Sequence, residues 1–323
     1  MKVNFRAGVR GIFKKIEVLK NGVVKKEYTP FNNIILDTGL VNLGSNLYPF
    51  RYMVVGASNV EPLPTDTTLG SKFGGSAEAP TNGLQGAWGW DALENYISTS
   101  FVFTFGVGTT TGNVSEIGVG PNSNGTNLTS KALVRDEMGN PTTVTVLSDE
   151  QLRVTYEARM YIDTADVVQV FDGTTVTIRP ANLGISSDTS GGRHWNFYTV
   201  RPSGFSNTPP FNSSLVDSNS SNVAGLLLYT GSLGPITGEP TGLFSNLNAR
   251  TYITKTFSEA NLEVTNKLVL PTSAGNNASG IGAILIATGG TVWQIGFSPN
   301  LMKDSLSRLE YELAFSWGRH EST

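Results

Sequence analysis

Histidines and paired carboxylates are the residues of this sequence that could act as acids, bases or metal ligands. Only His194 and His320 are present among 323 residues, too few for a histidine triad or a histidine-based metal site. Two acidic pairs, at 136–137 and 149–150, could support glycoside hydrolysis, in which two carboxylates flank the cleaved bond. Neighbours on a strand face opposite sides, however, and carboxylates on a turn are usually solvated. We therefore predict no catalytic residues and rank an enzyme last among the candidate functions.

Two loop sequences share part of a ligand-binding motif. "DSNSSN" at 217–222 begins like a calcium loop, but Asn222 stands where an EF-hand needs glycine and Leu228 where it needs glutamate. "GVGTTTG" at 106–112 is glycine-rich but lacks the spacing and the following helix of a dinucleotide fingerprint. The chain has no cysteine, which excludes disulfides, thiolate metal sites and cysteine nucleophiles. We predict neither a cofactor nor a metal ion.

Aromatic and basic residues in the first third of the chain are better candidates for binding. Trp88 and Trp90 bracket a glycine, and on a strand both rings would lie on one face, where they could stack on sugars, meet a neighbouring subunit or pack within their own domain. Residues 1–27 hold eight basic and two acidic residues, whereas the whole chain has 23 basic and 26 acidic residues. Such a segment could meet an acidic partner, although its alternation with apolar residues favours a solvated hairpin. The residues predicted for an interface are Trp88, Trp90, Lys14, Lys15, Lys25 and Lys26.

The elements that must position these residues are predicted to be short strands. The chain contains 36 glycines and many Thr, Ser, Asn and Val residues in alternating runs, a composition typical of β-structure with many turns. Residues 12–28 predict a hairpin around Asn21-Gly22, a dipeptide that accepts the positive φ angles of a type I′ turn. Residues 132–147 predict two strand runs around a turn at 139–141.

One short helix is predicted at 36–47, in "LDTGLVNLGSNL". Asp37 or Thr38 could cap its first turn, and Leu40 and Leu43 would face inward. The predicted fold is therefore all-β, with at most a short helix in each domain.

A strand pattern near the middle of the chain recurs at its C-terminal end. "LRVTYEARMYI" at 152–162 and "SRLEYELAFSW" at 307–317 each place apolar residues on one face and charged residues on the other. Further pairs follow in the same order, which chance resemblance seldom reproduces. They are 3–12 with 176–185, 30–37 with 210–217, the segment from Val55 with that from Thr230, 96–101 with 252–257, and the segments that end at Pro121 and Pro271.

The repeat predicts two tandem copies of one β-sandwich-like domain. The first spans 1–163 and carries a Gly/Ala/Trp-rich insertion near 71–90, residues 164–169 form a linker, and the second copy spans 170–323. Loops tolerate such insertions because closure entropy grows only logarithmically with length. Each copy is expected to have its own core. The alternative is a single large β-domain whose motifs coincide through shared composition.

Three stretches of the first copy resemble virion proteins of tailed bacteriophages, of the family of tail-fibre and baseplate-associated components. They are "NIILDTGLVNL", "PTDTTLG" and "KALVRDEMGNPTTVTVLSDEQLRVTYEARMYI", and the similarity covers most of residues 30–162. These motifs lie on predicted turns and strands and define no active site. The second copy keeps "YITKTF" and "LEYELAFSW" but lacks the connection "RDEMGNPTTVTVLSDEQ", so a role of that connection would belong to the first copy alone.

The resemblance implies a structural protein of the virion, assembled in the bacterial host cytoplasm. Such a protein would connect tail or baseplate parts, or anchor fibres, as a symmetric oligomer whose partners are other virion proteins. Two alternatives stay open: a tail-tip protein that binds host-surface carbohydrate, and a head or collar decoration protein. No apolar run approaches the roughly 20 residues that cross a bilayer, and the charged N-terminus is not followed by the apolar segment of a secretion signal. Nucleic acid is not an expected partner.

Overall fold

The structure of the chain is a computed structural model that describes residues 2–46, 48–79, 88–181, 183, 226–247, 253–288 and 291–320. His194 and the motifs at 210–217 and 217–222 lie outside the described residues. Strands dominate the described part of the chain, and the all-β prediction is confirmed. The elements in chain order are β1 (Lys2–Lys20), β2 (Val23–Tyr28), β3 (Phe31–Asn32), β4 (Ile34–Ile35), α1 (Asp37–Ser45), β5 (Tyr52–Gly56), β6 (Lys72–Glu78), β7 (Trp88–Asp91), β8 (Tyr96–Thr104), β9 (Gly112–Val114), β10 (Glu116–Gly120), β11 (Ser130–Leu133), β12 (Val144–Val146), β13 (Gln151–Ile162), β14 (Val167–Phe171), β15 (Thr174–Pro180), β16 (Leu226–Tyr229), β17 (Leu243–Leu247), β18 (Ile253–Ser258), β19 (Glu263–Leu270), β20 (Ile281–Thr288), β21 (Thr291–Leu301) and β22 (Leu309–Arg319).

Three large sheets form sandwich-like layers. A nine-stranded sheet has the order β18-β19-β22-β1-β13-β8-β7, with β2 and β3 also paired to β1. A five-stranded sheet, β4-β11-β10-β5-β6, packs over the β13 side, where Val55 and Ile117 join the buried cluster that contains Tyr156. Phe50, just before β5, adds a ring whose centroid lies 5.8 Å from that of Phe101 and 5.6 Å from that of Tyr156. A six-stranded sheet, β14-β15-β21-β20-β16-β17, packs over the β1–β22 side, where the ring centroids of Phe5 and Trp293 lie 4.7 Å apart. A small ribbon pairs β9 with β12.

The long strand β1 lies at the centre of the nine-stranded sheet. On one side it pairs antiparallel with β13, from Ala7 opposite Ile162 to Leu19 opposite Gln151. On the other side its first part pairs parallel with β22, and its later part pairs with β3 and β2. The two strands that recur in the sequence, β13 and β22, therefore flank the same strand in opposite directions.

The spatial order of strands is repeated between the halves of the chain. The order β4-β11-β10-β5-β6 has the same ranking in sequence as β15-β21-β20-β16-β17. In the shared sheet, β7-β8-β13 approach β1 from one side and β18-β19-β22 approach it from the other. This is the arrangement that two copies of one unit would produce around a common central strand.

The sequence pairs fit this arrangement in part. The recurring segments form β13 and β22, which take equivalent places beside β1. The motif at 96–101 lies in β8, next to β13, whereas its partner at 252–257 contributes β18, which β19 separates from β22. Strands β6 and β7 lie in the segment predicted as an insertion and occupy the places of β17 and β18 in the repeated order. The division of the chain at 163–170 stays a prediction.

The buried side chains of the described residues form one main cluster that extends through both halves. We expected a separate core in each copy, but β1 contributes to both sandwiches. Its Phe5 ring lies 5.5 Å from Phe315 in the second half, and its Phe13 ring lies 5.2 Å from Tyr156 in the first. The predicted apolar face of β13 is buried, and so is that of β22 apart from the partly buried Leu309.

Local predictions near the N-terminus are mostly confirmed. β1 and β2 form the expected hairpin, and Asn21 and Gly22 have φ angles of 50° and 77°. The helix forms as α1 with Leu40 and Leu43 buried, but neither predicted cap is used. The Thr38 hydroxyl instead donates to the Leu128 carbonyl, and Asp37 pairs with Arg319. Tertiary partners have taken the side chains that could have capped the helix.

The predicted turn at 139–141 also forms, with Gly139 at a φ of 83°. Next to the turn the two flanking runs pair briefly, through an antiparallel bridge between Arg135 and Pro141 and a 2.9 Å hydrogen bond from the Thr142 amide to the Val134 carbonyl. Farther from the turn they separate. β11 joins the five-stranded sheet, whereas β12 pairs with β9. The turn therefore connects two different sheets.

Candidate interaction surface

The outward face of the nine-stranded sheet carries charged side chains, because alternate residues of its strands point away from the core. Near the hairpin, Glu17 of β1 lies opposite Glu27 of β2 on one side and Arg153 of β13 on the other. Lys15 lies on the same face of β1. We call these four residues the charged ladder.

Glu17 is the centre of the charged ladder and is only 3% exposed. Arg153 donates to both of its carboxylate oxygens, at 2.6 Å from Nε and 2.9 Å from Nη2. The Lys15 ammonium lies 2.9 Å from Glu17 and 3.0 Å from Glu27. The hydrogen bonds from Arg153, and those from Lys15, hold the pKa of Glu17 below its usual value despite burial. The hydrogen bonds that Lys15 donates to Glu17 and Glu27 raise the pKa of Lys15.

Lys14 belongs to a second ion-pair network farther along the same face. Its ammonium lies 3.4 Å from Glu157, which also accepts a 2.7 Å hydrogen bond from Arg159 Nε. Arg159 reaches Glu94 at 3.3 Å and lies over the ring of Tyr96, 4.1 Å from its centroid. Two of the four lysines predicted for an interface, Lys14 and Lys15, are therefore paired within the chain.

The two remaining lysines, Lys25 and Lys26, are exposed on β2. Neither forms an ion pair with any residue that the structure describes. β2 pairs only with β1 in the described part of the chain, so its other edge is open. Val23 and Val24, at the start of the strand, are 59% and 39% exposed. We call β2 with these four side chains the hairpin edge.

Trp88 and Trp90 lie on β7, the last strand of the nine-stranded sheet on the first-half side. Their backbones pair with Thr99 and Ile97 of β8, so both tryptophans lie on a strand, the case considered from the sequence. Trp90 is partly buried and packs against the main hydrophobic cluster. This contact matches the interpretation of packing within the chain for that ring, and an interface role for Trp88 and Trp90 stays a prediction.

The long loop between β5 and β6 is held by buried polar residues. The sequence patterns did not single out these residues. Glu116 of β10 is fully buried and accepts hydrogen bonds from the backbone amides of Ser58, Gly70 and Ser71, at 3.3, 3.0 and 2.7 Å. Lys131, also buried, lies 3.6 Å from Glu116 and 2.9 Å from Asp66. These contacts fasten the loop between β5 and β6 at both of its ends.

A buried amide holds the equivalent loop of the second half. Gln294 of β21 accepts a 2.8 Å hydrogen bond from the Gly234 amide and donates to the carbonyls of Pro180, Gly234 and Pro235, at 3.0, 3.1 and 3.0 Å. The two loops lie in the segments that the sequence paired, which begin at Val55 and Thr230. That pairing was the available signal, although it did not indicate which buried residue fastens each loop.

Three of the residues considered for catalysis, Asp136, Asp149 and His320, make contacts within the chain. Asp136 accepts hydrogen bonds from the amides of Met138 and Asn140, at 2.9 and 2.8 Å, and so shapes the turn. Asp149 lies 2.6 Å from Lys20. His320 stacks on Tyr161 with ring centroids 3.5 Å apart, and its burial, together with the nearby Arg10, lowers its pKa.

The described residues contain no group of three or more His, Cys, Asp or Glu side chains placed to hold a metal ion. They also contain no helix with the length and apolar character needed to span a membrane.

Comparison of the chain with protein-family models, curated proteins and solved structures finds no match. The geometry described above and the sequence motifs are therefore the basis on which its function can be argued.

Proposed function

We propose that this chain is a non-enzymatic structural protein of a tailed-bacteriophage virion, a tail or baseplate component that binds other virion proteins. Its chemistry is association, in which strand edges and exposed side chains form interfaces and no covalent bond is broken. The sequence resemblance of residues 30–162 supplies the virion context. The structure supplies an open strand edge that is paired to the nine-stranded sheet.

The hairpin edge is the observation that carries the proposal. A strand with one open edge presents unpaired backbone amides and carbonyls that another chain can extend. Here the open strand also exposes two valines and two lysines without ion-pair partners among the described residues. Lysines on an edge oppose indiscriminate pairing, and they favour a partner that carries acidic groups. The combination is suited to a selective protein interface.

The charged ladder keeps the hairpin edge in a fixed position. β2 is paired with β1 along its length, and Glu17 links β1 to β13 through Arg153 while Lys15 reaches Glu27 on β2. A partner that adds to β2 would therefore bind a preorganised strand, which lowers the entropy lost on association. A preorganised strand of this kind suits a lasting connection between particle parts.

Incorporation into particles tests this proposal. We expect the chain in purified virions of a phage that encodes it, at a copy number that is a multiple of the tail or baseplate symmetry. The double variant Lys25→Glu/Lys26→Glu should weaken incorporation by about tenfold, equivalent to about 1.4 kcal/mol, because it reverses the charge that meets the partner. Quantitative mass spectrometry of purified particles measures both quantities.

Lys72→Glu is the matched control, because Lys72 is also exposed on a strand and has no ion pair with a described residue. It should be incorporated like the wild type. Absence of the chain from purified particles would overturn the proposal. Normal incorporation of the double variant, together with binding of the protein to host-surface glycan, would replace it with the receptor-binding alternative.

A further inference from the structure

The strand β14 forms an edge of the six-stranded sheet and has an unusual composition for an exposed edge. It pairs only with β15 among the described strands. Its sequence, VVQVF, contains no charged residue, and Val168 and Val170 are 58% and 68% exposed. Proteins usually protect such edges with lysine, proline, a bulge or a covering segment. β14 carries no lysine or proline and has a regular register with β15.

The turn that follows β14 determines which backbone groups are free. Phe171 pairs with Thr174 across a two-residue turn of Asp172 and Gly173, whose φ angles are 46° and 78°. In a hairpin of this type the residues beside the turn exchange both main-chain hydrogen bonds, and the bonding pattern alternates along the strand. The amides and carbonyls of Val168 and Val170 therefore point away from β15. These two residues present exposed side chains and four main-chain groups at the same edge.

The sequence of β14 is complementary to itself in the antiparallel direction. When a second VVQVF strand is placed antiparallel with Gln169 opposite Gln169, Val168 of each strand lies opposite Val170 of the other. Both members of each valine pair have outward-pointing backbone groups, so the two pairs can form four main-chain hydrogen bonds. Side chains opposite each other then lie on the same face, as strand geometry requires.

The uncharged sequence of β14 admits a second copy of itself, and one pair of carboxylates meets at each end of the paired strands. Nothing along the strand repels its own copy, whereas two copies of β2 would bring lysines together. In the symmetric register Asp172 of one chain lies near Asp166 of the other. Arg179 holds Asp166 with contacts of 2.7 and 2.5 Å, so each end of the paired strands also carries a guanidinium group.

We propose that β14 pairs antiparallel with β14 of a second copy of this chain, and that this pairing joins two six-stranded sheets into a continuous sheet of twelve. The pair has a two-fold axis at Gln169, whose own side-chain amide is directed to the Asn4 carbonyl, 3.4 Å away. The contact does not depend on the virion assignment, and it leaves the hairpin edge free for a different partner.

Sedimentation equilibrium of the full chain tests the proposal. The wild type should form a reversible dimer. Val168→Lys/Val170→Lys should weaken that dimer at least about tenfold, because it places lysines directly opposite each other across the pair. Val170→Pro should weaken it without adding charge, because it removes an outward amide that β15 does not use. The matched control is Val23→Lys/Val24→Lys, which changes two exposed valines on the hairpin edge and should leave the dimer intact.

Cross-linking tests whether two β14 strands meet, since the wild-type chain has no cysteine. Val168→Cys/Val170→Cys should form an intermolecular disulfide on mild oxidation, whereas Val23→Cys/Val24→Cys should remain monomeric on a denaturing gel. Far-UV circular dichroism confirms that each variant is folded. A wild type that stays monomeric at every concentration would overturn the proposal. A dimer unaffected by the changes in β14 would overturn it equally.

Discussion

Ion pairs with several acidic residues, among them the buried Glu17, determine how much of the basic charge of residues 1–27 remains for a partner. The sequence of residues 1–27 has a large excess of positive charge, yet Lys14, Lys15 and other basic residues are compensated within the chain. Lys2 lies 3.0 Å from Glu263, and Lys20 pairs with Asp149. The charge that remains available to a partner in this segment is therefore concentrated on fewer residues, including Lys25 and Lys26.

Replacing Glu17 with Gln should make stability less dependent on pH. The pKa of Glu17 is lowered in the folded chain, so its ion pairs stabilise the fold above the usual glutamate pKa and are lost as pH falls through the folded value. At about pH 7, Glu17→Gln should reduce the free energy of unfolding by about 1–3 kcal/mol, because Arg153 loses its charged acceptor. Urea unfolding at about pH 7 and about pH 3 measures the difference, which should shrink at the lower pH.

Glu27→Gln is the control for this experiment, because the Glu27 side chain is 56% exposed. Its effect at neutral pH should stay within about 0.5 kcal/mol. A difference between Glu17→Gln and wild type that is unchanged at low pH would show that the carboxylate charge is not what stabilises the ladder.

At the scale of elements, the long loops after β5 and β16 are held by buried polar side chains rather than by their own regular structure. Glu116 and Gln294 lie on interior strands of the two smaller sheets, and each satisfies backbone groups of the neighbouring loop. A buried acceptor that serves several amides is costly to remove, because each abandoned donor stays desolvated. Both halves use the same device with different residue types.

Glu116→Ala should destabilise the chain and release the loop between β5 and β6. We expect a loss of about 3–5 kcal/mol, because the substitution leaves three amides without an acceptor and Lys131 with one fewer partner. Limited proteolysis with mass spectrometry should show new cleavage at 57–71 before the rest of the chain is cut. Hydrogen exchange of the same segment gives an independent measure.

Glu61→Ala is the matched control on the same loop, where Glu61 is exposed and pairs with Arg135 at 2.7 Å. It should change stability by less than about 1 kcal/mol and leave the cleavage pattern unchanged. Equal protease sensitivity of the two variants would contradict the assigned role of Glu116.

At the scale of the whole molecule, contacts between the halves extend beyond the shared sheet. Trp317 of β22 donates a 2.8 Å hydrogen bond from Nε1 to the Leu40 carbonyl in α1. Gly44 of the same helix leaves no room for a side chain, since a Cβ there would lie 2.6 Å from Trp317 and 2.5 Å from Phe257. Arg319 also donates to the Ile35 carbonyl at 2.5 Å. The first half is thus completed by residues from the end of the chain.

A fragment of residues 1–163 should therefore fail to reach the stability of the full chain. It lacks β22, so the edge of β1 from Lys2 to Val9 loses its parallel partner and α1 loses Trp317. We expect one cooperative unfolding transition for the full chain, with coincident tryptophan fluorescence and circular dichroism curves. The fragment alone should be largely unfolded or aggregated, and co-expression with residues 164–323 should restore a folded complex.

Two separated transitions in the full chain, or a fragment that unfolds at the same urea concentration as the full chain, would contradict this interdependence. Gly44→Ala offers a milder test, because a single methyl group should disturb the contact of α1 with both aromatic rings. It should lower the stability of the one transition rather than split it into two.

The sequence by itself determined the features that depend on near neighbours. The alternation of apolar and charged residues fixed the buried faces of β13 and β22, because side chains on a strand change sides at every residue. Asn21-Gly22 fixed the first hairpin, because both residues accept positive φ angles. The apolar spacing of Leu40 and Leu43 likewise indicated α1, and the all-β class followed from many such short segments.

Only the tertiary structure decided which strands meet and which charges find partners. The place of β1 between β13 and β22 joins segments about one half and one whole chain length apart, and no local pattern encodes such a pairing. Glu17 and Arg153 are 136 positions apart, and Glu116 meets amides 45 to 58 positions away. Propensity and periodicity act over a few residues, whereas these contacts depend on how whole sheets pack. The open edges of β2 and β14 are likewise properties of the assembled sheets.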